Sequence, residues 1–195
     1  LPFSVPQTDN SCRMRAMLIG SDTFITQENT FPIARNNLHS IQSLLQSDVR
    51  TYQDIGIWYE TISDPQTLSD AMDSFFAATD ENDISLFYFS THGILSENTA
   101  GLYLSDGTTE SLLDPQTLSS LLSAIPGKKI LLLDTCNSGA FIEKGTDNLL
   151  INHTFTGKDI YVITSAGGFE ASWQWHSNRQ NVSGGSYFAS LLSSG

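Results

Sequence analysis

The 195-residue sequence predicts an α/β sandwich built around a mostly parallel central sheet. Three observations carry that expectation. Short apolar runs of strand length recur along the chain, most continuously at 84–89 and 130–133. Stretches with helical apolar spacing alternate with them. Both of those runs lead into small and polar residues that end in glycine: Ser90-Thr91-His92-Gly93 and Asp134-Thr135-Cys136-Asn137-Ser138-Gly139. In an open parallel sheet the C-terminal strand ends are where sites are built.

Residues 15–20 read as a first buried strand, and 21–31 as a polar loop. Residues 33–45 place apolar side chains at 34, 38, 41, 44 and 45, a helical stripe. Residues 52–59 suit a second strand. Asp64-Pro65 opens a helix, with Asp as N-cap and Pro in the first turn, and its stripe is Leu68, Ala71, Met72, Phe75 and Phe76. The third strand is 84–89. Leu102-Tyr103-Leu104 and Glu110-Ser111-Leu112 flank Asp106-Gly107, a hairpin signal. Asp114-Pro115 opens another helix, which Pro126-Gly127 ends. The hexapeptide Asp-Pro-Gln-Thr-Leu-Ser occurs at 64–69 and again at 114–119. It marks two similar helix starts, not a domain repeat, because the flanks differ. The fourth strand ends at Cys136, the fifth is 159–165, and 184–192 reads as a closing helix.

Length and a 39% hydrophobic content fit one domain, 1–195, with a sizeable core. No apolar run approaches the roughly 18 residues that span a bilayer. A net charge of −12 argues against nucleic acid and anionic membranes as partners and permits attraction of basic peptides. Ser and Thr outnumber all charged residues, and the chain starts at Leu1 instead of Met. Together these favour a processed, extracytoplasmic or secreted protein, with no signal peptide in view. Gly195 falls inside an apparent helix, so the native chain is expected to continue past it. Two sequons, at Asn152 and Asn181, are expected by chance in so hydroxyl-rich a sequence. Two cysteines cannot build a disulfide framework. Cys12 lies in an irregular stretch and is read as incidental. No metal cluster, phosphate loop or nucleotide motif is present in the sequence, and no cofactor is expected.

A buried cysteine is often inert, and a lone histidine is more often structural than catalytic. The two strand ends change that weighting. They deliver an imidazole and a thiol, 44 positions apart, the minimal equipment for thiolate catalysis. In caspases the histidine lies about 50 residues upstream of the nucleophile.

These motifs resemble those of the caspase-like clan of cysteine peptidases, which includes caspases, metacaspases, legumains and gingipains. Residues 90–93 resemble its Ser/Thr-x-His-Gly, and 134–139 resemble the metacaspase Asp-x-Cys-x-Ser-Gly. Residues 165–173 resemble the caspase segment that pairs with the substrate backbone, and Gly185-Ser186-Tyr187-Phe188 resembles a helix start near the family's C-terminus. The resemblance implies a three-layer sandwich with a six-stranded sheet and a peptide or protein substrate. It implies Cys136 as nucleophile and His92 as acid/base, often too far apart in this clan for a tight resting ion pair. It places an oxyanion hole at the N–H groups of Gly93 and Cys136. Ser165, Glu170, Ser172 and Trp173 fall in its substrate-binding segment. Calcium activates some relatives; the acidic loops here permit it, but no ligand pattern compels it.

Strand alternation puts Asp134 on the same side as Cys136, where it would line the first pocket. Caspases hold an aspartate there with arginines. Here Gln174 stands after Trp173, and the 21–31 loop contains Asp22 and Glu28 but no arginine. With Glu170 near, the pocket reads as acidic and suited to Lys or Arg. Arg179 could in principle reach it from the loop after Trp175, and Asp134 as a mere turn cap is the plain alternative. The leading expectation is an endopeptidase cutting after basic residues. The alternatives are an Asn or Asp preference, or a silent binding module on the same fold. The 143–158 loop is expected to be mobile and open to self-processing at Lys144 or Lys158.

Overall fold

A computed structural model describes residues 12–27, 33–47, 52–96, 99–142, 154–177 and 182–194. Five strands form one parallel sheet: β1 (Met14–Gly20), β2 (Asp54–Tyr59), β3 (Ile84–Ser90), β7 (Lys128–Asp134) and β8 (Ile160–Thr164), in the order β2-β1-β3-β7-β8. The sixth strand implied by the resemblance is not in this sheet among the described residues. Two helices cover each face, giving the three-layer α/β sandwich.

Period-2 alternation assigns each side chain to a layer. Met17, Ile19, Phe87, Phe89, Leu131 and Leu133 face one side, with Leu68 and Met72 of α2 (Pro65–Phe75) and Leu118 and Leu122 of α3 (Pro115–Ser123). Ala16, Leu18, Leu86, Tyr88 and Leu132 face the other, with Leu38, Ile41 and Leu45 of α1 (Ala34–Ser47) and Ala189 of α4 (Tyr187–Ser194). Both faces of β3 are buried, which is why it reads as a nearly continuous apolar run, interrupted only by the buried Ser85 before Ser90 ends it. Full burial of each large side chain contributes about 1.5–3 kcal/mol.

The two identical hexapeptides both cap helices. Asp64 and Asp114 each accept from the backbone N–H three residues on, Thr67 and Thr117. At 64 the box is complete, because Thr67 Oγ1 also accepts from the Asp64 N–H.

Three expectations need correction. The hairpin is a three-stranded antiparallel sheet, β4 (Gly93–Ser96), β5 (Thr99–Ser105) and β6 (Glu110–Leu113), whose first strand begins immediately after His92. Residues 184–186 are not helical. They belong to β10 (Val182–Ser186), which pairs antiparallel with β9 (Gln174–Ser177), so α4 begins only at Tyr187. Glycines there suit close backbone approach: a Cβ at Gly185 would lie 3.0 Å from Asn37 Oδ1. Finally, β7 ends at Asp134, so Cys136 lies in a turn, not on the strand. Most of the 143–158 loop, including Lys144, lies outside the described residues, as do Glu28 and Arg179.

Candidate active site

The register of the two central strands aligns their ends. Ser90 pairs with Asp134, so His92 and Cys136 each lie two residues beyond a matched pair. Adjacent strands run about 4.8 Å apart. Gly93 brings the two ends into contact: a Cβ there would fall 2.0 Å from the Cys136 carbonyl oxygen and 2.7 Å from Thr135 Oγ1. Only glycine permits this approach. The need for glycine at 93 is thus steric, set by the backbone of the thiol's own turn.

Residues 135–139 build that turn. Thr135 Oγ1 donates to the Cys136 carbonyl, and Asn137 adopts the left-handed region at φ 55°, which Asn tolerates better than most residues. The 165–170 segment clamps it. The Asn137 N–H donates to the Glu170 carbonyl at 2.8 Å, its Nδ2 to the Gly168 carbonyl at 2.9 Å, and the Gly139 N–H to the Ala166 carbonyl at 2.9 Å. A Cβ at Gly139 would meet the Gly167–Gly168 backbone at 2.7 Å. Cys136 itself is half-buried, two residues before a short 3-10 helix (Ser138–Ile142); Cys12 is exposed and remote in the fold from this turn.

Asp134 lies beneath, 4% exposed. It is an even-numbered residue of β7 and faces the α1/α4 side with Tyr88. Tyr88 Oη donates to Asp134 Oδ2 at 2.6 Å, Ser172 Oγ to Oδ1 at 3.2 Å, and Ser186 Oγ to Oδ2 in a short bond. Ser165 Oγ donates to Ser172 Oγ at 3.1 Å, extending the chain. Among the described residues no cation pairs with Asp134. Burial raises its pKa, and the hydroxyl bonds from Ser186, Tyr88 and Ser172 offset only part of that. Burial and the neighbouring carboxylate hold the Tyr88 hydroxyl well above its ordinary value, so it remains a donor.

The other acids are engaged elsewhere. Asp22 caps α1, accepting from the backbone N–H groups of Ile33, Ala34 and Arg35 and from Tyr59 Oη. It still walls a pocket beside His92, with Ser21, Phe24, Ser90 and Gln174. Glu170 is exposed and turns back to accept from the Gly167 N–H at 2.8 Å. Trp173 is 76% exposed.

Four residues near these groups are not legible as site residues from sequence: Tyr88, Asn37, Phe24 and Ser186, the last read there only as part of a helix start. Asn37 Nδ2 donates to Ser90 Oγ and its Oδ1 accepts from the Ser186 N–H, both at 2.9 Å, so it ties α1 to the strand end and to β10. A buried Asn within the apolar stripe of α1 was its readable signal. Phe24 packs on the His92 ring with centroids 4.6 Å apart.

The comparisons bear on the fold and the family. The caspase domain family model matches residues 13–194. Among solved structures, caspase-1 from Spodoptera frugiperda aligns at a TM-score of 0.63 with 14% identity, covering 94% of this chain and 68% of that one. Protein GSU0716 from Geobacter sulfurreducens aligns at 0.52 with 14% identity, covering 64% of this chain; the match spans half of the Geobacter protein's length. Among curated proteins no sequence matches. At such identities the two structures speak for the fold, while the family model spans nearly the whole chain. The chain belongs to the caspase domain family.

Proposed function

We propose that the protein is a cysteine endopeptidase that cuts after Arg or Lys, with Cys136 as nucleophile and His92 as acid/base. The observation that carries this reading is the contact between the two strand ends, where Gly93 packs against the Cys136 turn. The Cys136 thiolate attacks the scissile carbonyl carbon, and the developing oxyanion is received by the N–H groups of Gly93 and Cys136. Each such donor is typically worth about 2.7–4 kcal/mol. His92 gives a proton to the leaving amine, and the acyl chain stays on sulfur as a thioester. Water then attacks the thioester, giving its proton to His92, the C–S bond breaks, and the carboxylic acid product leaves with the Cys136 thiolate and protonated His92 restored.

Asp134 supports the basic preference. It is a buried carboxylate satisfied by hydroxyls, with no cation among its described partners, and burying an unpaired charge is costly. A substrate ammonium or guanidinium supplies the missing charge. Ser172 and Ser165 hold its geometry, Asp22 adds negative potential to the adjacent wall, and exposed Trp173 and Glu170 flank the incoming chain.

The test uses peptide cleavage and thiol labelling together. Cys136→Ala is expected to abolish cleavage and labelling by a peptidyl thiol-reactive probe, while Cys12→Ala leaves both near the parent level. Cleavage at the parent rate by Cys136→Ala contradicts the assignment. An unlabelled, inactive parent protein points instead to a silent binding module.

A further inference from the structure

The loop between β1 and α1 carries a side chain placed to act on the imidazole. Phe24 is 6% exposed, although the next residue, Ile25, is 55% exposed. Its ring lies 4.6 Å from that of His92, with the planes at 60°, and meets Tyr103 edge-on at 6.3 Å. Tyr103 is also the backbone anchor of the same histidine. Its N–H donates to the His92 carbonyl at 2.9 Å, and its carbonyl accepts from Thr91 Oγ1 at 2.6 Å. The backbone of His92 is therefore fixed by β5, while the ring is packed by Phe24.

The loop is tied down to keep Phe24 there. Ser21 Oγ donates to the Ser105 carbonyl at 2.6 Å, and Ser105 Oγ donates to the Thr23 carbonyl at 2.7 Å. The Glu110 carboxylate accepts from the Ile25 N–H at 2.7 Å and from the Thr26 N–H at 3.3 Å. These bonds bracket Phe24 on both sides. The χ2 torsion of a histidine is broad, so packing against the ring contributes to where its nitrogens point. Proton transfer depends on that direction.

We infer that Phe24 is a positioning residue for His92: its ring fixes the orientation of the imidazole for proton transfer at the thiol. The inference rests on the reading of His92 as the acid/base group, and the test separates the two. Phe24→Leu keeps apolar bulk, and Phe24→Tyr keeps the aromatic face; both are made in the full chain and in a His92→Ala background. Phe24→Leu is expected to lower kcat by about tenfold with KM nearly unchanged, since small misplacements of a reacting group carry large rate costs. Phe24→Tyr is expected to restore most of it. In the His92→Ala background Phe24→Leu should add no further loss. The same loss in both backgrounds overturns the inference and leaves the peptidase reading intact. A second readout does not depend on turnover. With isotope-labelled histidine, the His92 ring signals, identified by their absence from His92→Ala, should shift in Phe24→Leu as the ring current is lost. Unmoved ring signals, with His92 essential for turnover, overturn the inference alone. Turnover indifferent to His92→Ala overturns the acid/base reading and the inference with it.

Discussion

Two aspartates at opposite ends of the central sheet have the same chemistry and nearly the same burial, yet opposite surroundings. Asp83, just before β3, is 2% exposed; Asp134, the last residue of β7, is 4% exposed. Asp83 accepts from the Arg13 and Asp80 N–H groups and pairs with the Arg13 guanidinium at 3.0 Å. Burial raises its pKa, but those bonds and the Arg13 charge outweigh burial and hold it below the ordinary value. Asp134 has only hydroxyl donors among the described residues, and burial wins. The N-terminal end of the sheet is thus electrostatically complete. The C-terminal end keeps a carboxylate without a counter-ion among the described residues, near the strand ends that carry His92 and Cys136. Stability alone would favour pairing or removing that charge, and the proposed function gives it a use: a basic substrate side chain as its counter-ion.

If the contrast is functional, the two ends should fail differently when altered. The largest effect is expected at His92. His92→Ala should reduce turnover by about 10²–10⁴-fold, typical of a general acid–base group, with an unchanged melting temperature. His39, His153 and His176 should tolerate the same change; an essential residue among them, with His92 dispensable, breaks the assignment.

At the other end the expected loss is in stability. Asp83→Asn leaves a donor facing the Arg13 and Asp80 N–H groups and should destabilise the fold by about 1–3 kcal/mol at neutral pH. Denaturant melts measure this, and kcat of the folded fraction should not move. A folded, stable variant with impaired catalysis would erase the distinction.

The pH dependences should differ in sign. A lowered carboxyl pKa adds stability above the unfolded carboxyl range and loses it as pH falls through the folded value; a raised one does the reverse. The stability linked to Asp83 should therefore fade on acidification. That linked to Asp134 is present at acid pH and lost as pH rises through its folded pKa. The melting temperature of Asp134→Asn relative to the parent should accordingly improve between acid and neutral pH, while that of Asp83→Asn should worsen. Parallel trends in scanning calorimetry would contradict the electrostatic contrast.

How much of the fold and site was legible in the sequence depends on the range of the interactions. The strands 84–90 and 128–134 are buried on both faces, so their apolar runs announced them, and the Asp-Pro caps at 64 and 114 are local bonds three residues long. The motif order placed His92, Gly93 and Cys136 at neighbouring strand ends. What sequence could not supply was long-range pairing. Tyr88 and Ser186 reach Asp134 across 46 and 52 residues, and Glu110 holds the Ile25 N–H across 85. The strand β10 is hard to read from sequence because Gly184-Gly185-Ser186 imitates a helix entrance, whereas in the fold Gly185 lies close against Asn37, where a Cβ would fall 3.0 Å from Oδ1. Strand alternation fixes the side of Asp134 but not that of Cys136, because the chain leaves the strand between them.

The most direct test of the uncompensated carboxylate is the ratio of kcat/KM for matched peptides bearing Arg, Lys, Asn or Asp before the scissile bond, in the parent and in Asp134→Asn. The parent should prefer Arg and Lys. The variant should lose at least about tenfold on them, roughly 1.4 kcal/mol, and much less on the neutral peptide. A parent preference for Asp or Asn, or a basic preference that survives Asp134→Asn undiminished, would contradict the account.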